Sequence, residues 1–405
     1  MTIAWHVYPL GFVGAPIRPD TTPPLCHRLP RLTSWLAYAA AMGCNALSLG
    51  PVFASSSHGY DTLDYRRIDP RLGDQADFDE LVGTAHALGM RVYLDGVFNH
   101  VGRGFPALQR ALAAPDGDPC RRFFAWDNHG QPRRFEGHAG LIELNHADPD
   151  VQARVADIMC LWLGRGVDGW RLDAAYTTGP AFWAKVLPRV RERFGQAYVF
   201  AEILHGDFAG FVRASGVDSA TQYELWKAIW SSIHDANFFE LKWALARHQA
   251  MLGSFVPVTF IGNHDVDRIA SQIGPDAVPL ALAILMTVGG DPHLYYGDEQ
   301  GFTGTKGSGP GTDDPLRPAF PAAPDQLPDG GLYGIHRELI GLRHARPWLR
   351  RAVTTLDEVT CPRLAYTSAD PDDPGRCVRV VLDLNGGPRV SISDAAGAAL
   401  FDYRG

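Results

Sequence analysis

An alternation repeated eight times constrains this chain more than any other feature. Short apolar runs of strand character recur at 3–9, 46–50, 92–96, 169–172, 198–201, 220–223, 258–262 and 293–296, with segments of helical period between them. In one such segment Val151, Val155, Ile158 and Trp162 mark out one face of a helix; others cover 32–42, 78–88, 180–194 and 280–288. Strand–helix units in series call for parallel neighbours joined by crossover helices. The expected class is therefore α/β, and at 405 residues the commonest closure is a (β/α)8 TIM barrel. An open doubly wound sheet is the alternative, but no GxGxxG turn follows the first strand to support it.

Two stretches depart from the alternation. Residues 101–148 are too long for an ordinary connection and carry Gly-, Pro- and Arg-rich stretches, which predicts a short inserted subdomain after strand 3, lying over the barrel mouth. A smaller Gly/Pro-rich loop covers 301–331. After a helical stretch at 333–346 the pattern changes, and 378–384 and 389–393 read as strands separated by turn residues. The expected division is a barrel over 1–349, including the insertion, and a small C-terminal β-domain over 350–405.

Composition narrows the function. The net charge is −8 and the 37 basic residues form no stripe, so the positive field needed to hold nucleic acid or an anionic membrane is missing and a neutral substrate fits better. Six scattered cysteines without a CxxC pair read as reduced, structural thiols. The N-terminus shows no basic segment, long apolar segment or small-residue cleavage site, and no stretch approaches a membrane span, so a cytoplasmic protein is expected.

Three acids stand just past three of the strand-like runs: Asp173 in Asp168-Gly-Trp-Arg-Leu-Asp173, Glu202 in Ala201-Glu-Ile203, and Asp265 in Asn263-His-Asp265. Barrels of this class carry their chemistry at the C-terminal ends of the strands, where such residues converge on one mouth. Paired carboxylates at that place suit glycosidic bond cleavage, with one as nucleophile and one as proton donor.

In this order, and with His58-Gly-Tyr-Asp-Thr-Leu-Asp-Tyr65, Asp95-Gly-Val-Phe-Asn-His100 and Gly289-Gly-Asp-Pro-His-Leu-Tyr-Tyr-Gly-Asp-Glu299, the motifs resemble those of the α-amylase family, glycoside hydrolase family 13. The resemblance implies Asp173 as nucleophile, kept ionised by Arg171 two residues earlier, and Glu202 as acid/base, carrying a proton near neutral pH. It implies Asp265 as the third acid that stabilises the transition state. His264 and His100 would then be sugar ligands, and Tyr60 an aromatic platform under the sugar ring. No cofactor is implied beyond calcium at Asn99, which could instead serve only as a loop hydrogen bond. The acidic residue usual before Leu-Asn in the inserted region is displaced here, in Leu141-Ile-Glu-Leu-Asn145.

Within the family, the Lys-His pair that often follows the nucleophile in starch-degrading members is replaced by Asp173-Ala-Ala-Tyr-Thr177. Ser57 stands where members that read a terminal glucose carry Asp. The motif detail is most similar to neopullulanases and cyclomaltodextrinases, which act on short α-1,4-glucans, although the N-terminal β-domain common in that group has no counterpart in this sequence. The expected function is a retaining α-glucoside hydrolase acting on maltooligosaccharides. The alternatives are an α-glucosyltransferase or isomerase using the same intermediate, and a non-catalytic glucan-binding barrel. The expected partner is a small-molecule or oligosaccharide substrate, with oligomeric state left open.

Overall fold

The structure, a computed structural model, describes residues 1–19, 23–309, 311–324 and 331–405. Its centre is a ring of eight parallel strands: β1 (Ala4–Val7), β2 (Ala46–Leu49), β3 (Arg91–Gly96), β4 (Gly169–Leu172), β5 (Tyr198–Ala201), β6 (Ser219–Ala220), β7 (Val258–Phe260) and β8 (Asp291–Tyr295). Each pairs with its sequence neighbours and β1 pairs with β8. Between β6 and β7 the ring is closed by a single parallel bridge, Thr221 to Val258. Strands buried on both faces need mainly apolar residues, and these supply them with single polar exceptions, His6, Ser48 and Arg171. Gly169 opens β4 because the neighbouring strand leaves no room for more: a Cβ there would lie 2.1 Å from the Tyr198 carbonyl oxygen.

Helices α1 (Leu36–Met42), α2 (Gln75–Ala87), α3 (Pro149–Leu163), α4 (Pro180–Arg193), α5 (Phe208–Ser215), α6 (Tyr223–His234), α7 (Phe239–Leu252), α8 (Val278–Thr287) and α9 (Gly331–His344) surround the ring. Their starts follow local chemistry. Asp74 and Asp77 form a reciprocal capping box on α2, and Asp148 caps α3 ahead of Pro149. α8 is buried at every residue because the C-terminal sheet covers the side that the barrel does not, and Tyr366 bonds Thr287 across the join at 2.6 Å. That sheet has five antiparallel strands in sequence order: β9 (Val353–Val359), β10 (Arg363–Ala369), β11 (Cys377–Asp383), β12 (Arg389–Asp394) and β13 (Ala399–Arg404). Val378, Val380, Leu382, Val390 and Ile392 point into the same core as the barrel helices.

The insertion after β3 carries a two-stranded ribbon, His100–Gly102 against Leu141–Glu143, and a helix at Pro106–Ala113. Positions 310 and 325–330 of the loop expected at 301–331 lie outside the described residues. The strand expected at 220–223 is shorter than its apolar run: it ends at Ala220, and Tyr223 opens α6 instead, because the Gln222 side chain accepts from the Glu224 and Leu225 amides and caps a helix there. The eighth strand starts two residues early, at Asp291, whose carboxylate takes the Thr2 amide and Arg350. Among the described residues no helix is long and apolar enough to cross a membrane.

Candidate active site

The register of neighbouring strands builds the site from its base. Asp95 on β3 lies directly opposite Arg171 on β4, and alternation along β4 sends Arg171 and Asp173 to the same side. Arg171 Nη1 donates to both Asp95 oxygens (2.7 and 2.6 Å) and to Asp173 Oδ1 (3.1 Å), while Nη2 meets Glu202 Oε1, just past β5, at 2.7 Å. Three buried carboxylates thus share one buried guanidinium.

That division changes the protonation expected of Asp173. Arg171 alone does not keep it ionised. Burial, reinforced by Glu202, Asp95 and Asp265, outweighs Arg171 and holds the Asp173 carboxyl well above the ordinary range. Burial raises Asp95 in the same way. Asp173 and Asp95 therefore hold a proton more readily than an isolated carboxyl does.

Glu202 is held at both oxygens: Oε1 also accepts from the Tyr223 hydroxyl (3.0 Å) and Oε2 accepts from the Ala174 amide (2.9 Å). Ala174 adopts left-handed backbone, φ 45° and ψ 36°, which places strain immediately after Asp173. The Tyr223 hydroxyl in turn accepts from Asn263 Nδ2 at 2.9 Å and so links the β5 end to the loop after β7.

On that loop Asp265 receives Arg317 Nη2 at 2.8 Å and His264 Nε2 at 3.0 Å. Against the cost of burial, His264 and Arg317 hold its carboxyl well below the usual range. The His264 ring stacks on Tyr60 (5.5 Å, 7°) and Tyr8 (6.2 Å, 10°), and its Nδ1 faces His6 Nε2 at 3.0 Å. The Tyr60 hydroxyl touches His264 Nε2 and donates to Asp95 at 3.1 Å. His100 donates from Nε2 to the Tyr60 carbonyl (3.0 Å) and stacks on Phe135 of the insertion (4.5 Å). Burial pushes its imidazole down to about 3, so the ring is neutral, and its Nδ1 has no partner among the described residues.

These groups meet in a cavity of about 950 Å³ lined by Asp173, Glu202, Asp265, Tyr60 and His100, with Phe135, Glu136 and Tyr176 at its rim. Arg171 and His264 stand behind this lining. His264 has both ring nitrogens engaged by protein partners and so supports Tyr60 and Asp265 from beside the cavity. Ser57 engages Asp61 through its amide (3.0 Å) and hydroxyl (2.6 Å).

Asn99 was the one residue linked to calcium. Its amide donates to the Thr177 hydroxyl at 2.7 Å, the loop hydrogen bond that was the other reading of this residue. Nearby acids are engaged elsewhere: Glu143 pairs with Arg133, and Asp148 caps α3 and pairs with Arg122. The Thr177 bond uses Asn99 Nδ2 and leaves Oδ1, the atom that would meet a hard cation, while the nearby acids are paired with arginines.

Sequence reasoning missed Tyr223, Arg317, Phe135 and His6. Asp95 was part of a quoted motif, and only the register with Arg171 reveals its place. Phe135 and Arg317 lie in irregular stretches where no periodicity signals a contact.

Residues 28–338 match the family description "Alpha amylase, catalytic domain". Over 337 residues the chain is 32% identical to neopullulanase 2 of Thermoactinomyces vulgaris, covering 78% of this chain and 55% of that protein. It is 30% identical to a cyclomaltodextrinase of Geobacillus thermopakistaniensis strain MAS1, covering 92% and 67%. The chain thus spans about half to two thirds of the length of these curated relatives. Among solved structures, the cyclic α-maltosyl-(1→6)-maltose hydrolase of Arthrobacter globiformis shares the fold, with a TM-score of 0.82 at 24% identity over 94% of this chain and 90% of that one.

Proposed function

Since the chain belongs to the α-amylase family, we propose that it is a retaining α-glucoside hydrolase acting on α-1,4-linked glucans or maltooligosaccharides through a covalent glycosyl-enzyme intermediate. The observation that carries the reading is the joint seat of Asp173 and Glu202. They follow neighbouring strands, touch one guanidinium at 3.1 and 2.7 Å, and line one cavity. Double displacement asks for carboxyls about 5–5.5 Å apart, a separation one guanidinium can hold.

In this reading Asp173 attacks the anomeric carbon while Glu202 gives its proton to the departing glycosidic oxygen. A water then enters from the vacated side, returns a proton to Glu202, and its oxygen displaces Asp173 with net retention. The mechanism requires Glu202 to carry the proton and Asp173 the charge when substrate binds, and Arg171, in contact with both carboxyls, holds the two in one place. Asp265, held as an anion by Arg317 and His264, faces the positive charge that develops on the ring. Tyr60 and His100 hold the sugar, with Arg171 and His264 positioning them. The neutral substrate matches a sequence whose basic residues form no stripe and whose net charge is −8.

Time-resolved proton NMR with maltotriose tests the reading. α-Anomers are expected first, and Asp173→Asn should lower turnover by about 10⁴-fold or more. Early β-anomers, or turnover that survives the substitution, would overturn it. New linkages in place of hydrolysis would favour glucosyl transfer, a reading supported by the small residue Ala174 in the cavity lining.

A further inference from the structure

A second concavity lies against the outer side of the catalytic one. It is a groove of about 580 Å³ lined by Leu204, Tyr223, Glu224, Trp226, Trp243 and Arg247, mainly on α6 and α7. Leu204 and Tyr223 line both spaces. The Tyr223 hydroxyl donates to Glu202, so the groove begins one side chain beyond the proposed proton donor. A group that protonates the departing oxygen stands on the leaving-group side of the bond. The groove therefore continues the cleft in the direction in which the leaving chain departs.

Its surface has the character of a carbohydrate platform. Trp243 is 69% exposed, the most exposed large apolar side chain among the described residues, and its indole is unburied. The indole lies open within the groove, and the apolar face of a pyranose is a flat match for it. Around it the charges cancel: Arg247 grips Glu224 at two points of 2.7 Å, and Lys227 pairs with Glu240. Two acids and two bases leave no net field, which suits a neutral polyhydroxylated ligand. The paired carboxylates and cations keep lone pairs and N–H groups for its hydroxyls.

We propose that this groove is an outer subsite that holds the distal glucosyl units of a longer α-glucan on the leaving-group side, with Trp243 as the stacking platform. The proposal rests on the glucan reading above and adds to it a preference for chain length.

Trp243→Ala is the test, because an exposed indole can be removed without disturbing the core. Initial rates on maltotriose, too short to reach the groove, should stay within about twofold. kcat/KM on maltoheptaose should fall by about fivefold or more, as loss of one stacking contact implies. Arg247→Ala should act in the same sense. Equal effects on both substrates would overturn the subsite. So would an unchanged length preference accompanied by a shift in oligomeric state on sizing chromatography, which would assign the patch to a second copy of the chain. The Asp173→Asn protein separates the two claims. Quenching of its tryptophan fluorescence by maltoheptaose, lost when Trp243→Ala is added, supports the subsite even if the parent cleaves no α-glucan. Quenching that persists without Trp243 refutes it whatever the parent cleaves.

Discussion

The two arcs of the barrel mouth treat the same kind of side chain in opposite ways. Past β7 and near β1, Asp265 meets Arg317 and His264 and is held as an anion. Past β4 and β5, Asp173 shares its one cation with Asp95 and Glu202 and is pushed toward its neutral form. On the first arc one ring gathers the contacts: His264 meets His6, Tyr8, Tyr60 and Asp265. On the second, Tyr176 donates across to Glu136 of the insertion (2.9 Å), and Leu204 opens toward a groove. One arc is built to hold a charge and a ring in fixed places. The other crowds three carboxylates around one cation beside an opening groove.

Single substitutions on each arc give the largest expected contrast. His264→Ala removes the shared support of Tyr60 and Asp265 and should lower kcat/KM by about 10²-fold, the scale on which misplacing a positioned group acts. Tyr176→Phe deletes only the hydroxyl that donates to Glu136, at an exposed site, and should change kcat/KM by less than about threefold. Comparable losses in the two variants would mean that the arcs are equally rigid and would remove the contrast.

Stability against pH compares the two acids directly. An unfolded aspartate titrates near 3.9. For Asp173 the folded value lies above that, so the folded protein keeps a proton the unfolded chain has lost, and this residue's contribution to stability falls as pH rises from about 4. For Asp265 the folded value lies below, so its contribution is present above about pH 4 and is lost as pH falls through the folded value. Melting curves should therefore show Asp173→Asn gaining on the parent as pH rises from about 4 to 7. Asp265→Asn should fall below the parent at pH 7, with the gap closing in acid. Shifts of the same sign in both variants would show that the arcs do not differ in charge.

The sequence makes the skeleton of this site readable and leaves its electrostatics hidden, for identifiable reasons. Asp173, Glu202 and Asp265 are legible because each ends an apolar run, and buried parallel strands leave a continuous hydrophobic trace. Gly169 is visible in its motif, while its cause, the Tyr198 carbonyl of the next strand, is not. The raised Asp173 carboxyl depends on Asp95 lying opposite Arg171, a register that no single strand encodes. Tyr223 was hidden by its own neighbourhood: the run through Ala220 suggests that the strand continues, whereas the Gln222 cap turns the chain into a helix and aims the hydroxyl at Glu202. Arg317 comes from an irregular loop whose path follows from packing on Tyr8 and Tyr60.

The smallest expected effect bears on the hinge between Asp173 and its exit. Ala174 holds a left-handed conformation that costs an L-residue about 1–2 kcal/mol and a glycine almost nothing. Ala174→Gly should therefore relieve strain, although the extra freedom of the unfolded glycine offsets part of that gain, leaving a net stabilisation below about 1 kcal/mol. The same strained turn points the residue 174 amide at Glu202 Oε2. With glycine the turn is no longer confined, so kcat should drop about two- to fivefold while the melting temperature holds or rises. A fall in melting temperature would show that the buried Ala174 methyl matters more than its backbone. A rise in both stability and kcat would mean that the strain is incidental and that the second arc tolerates more freedom at its centre than the hydrogen bond to Glu202 implies.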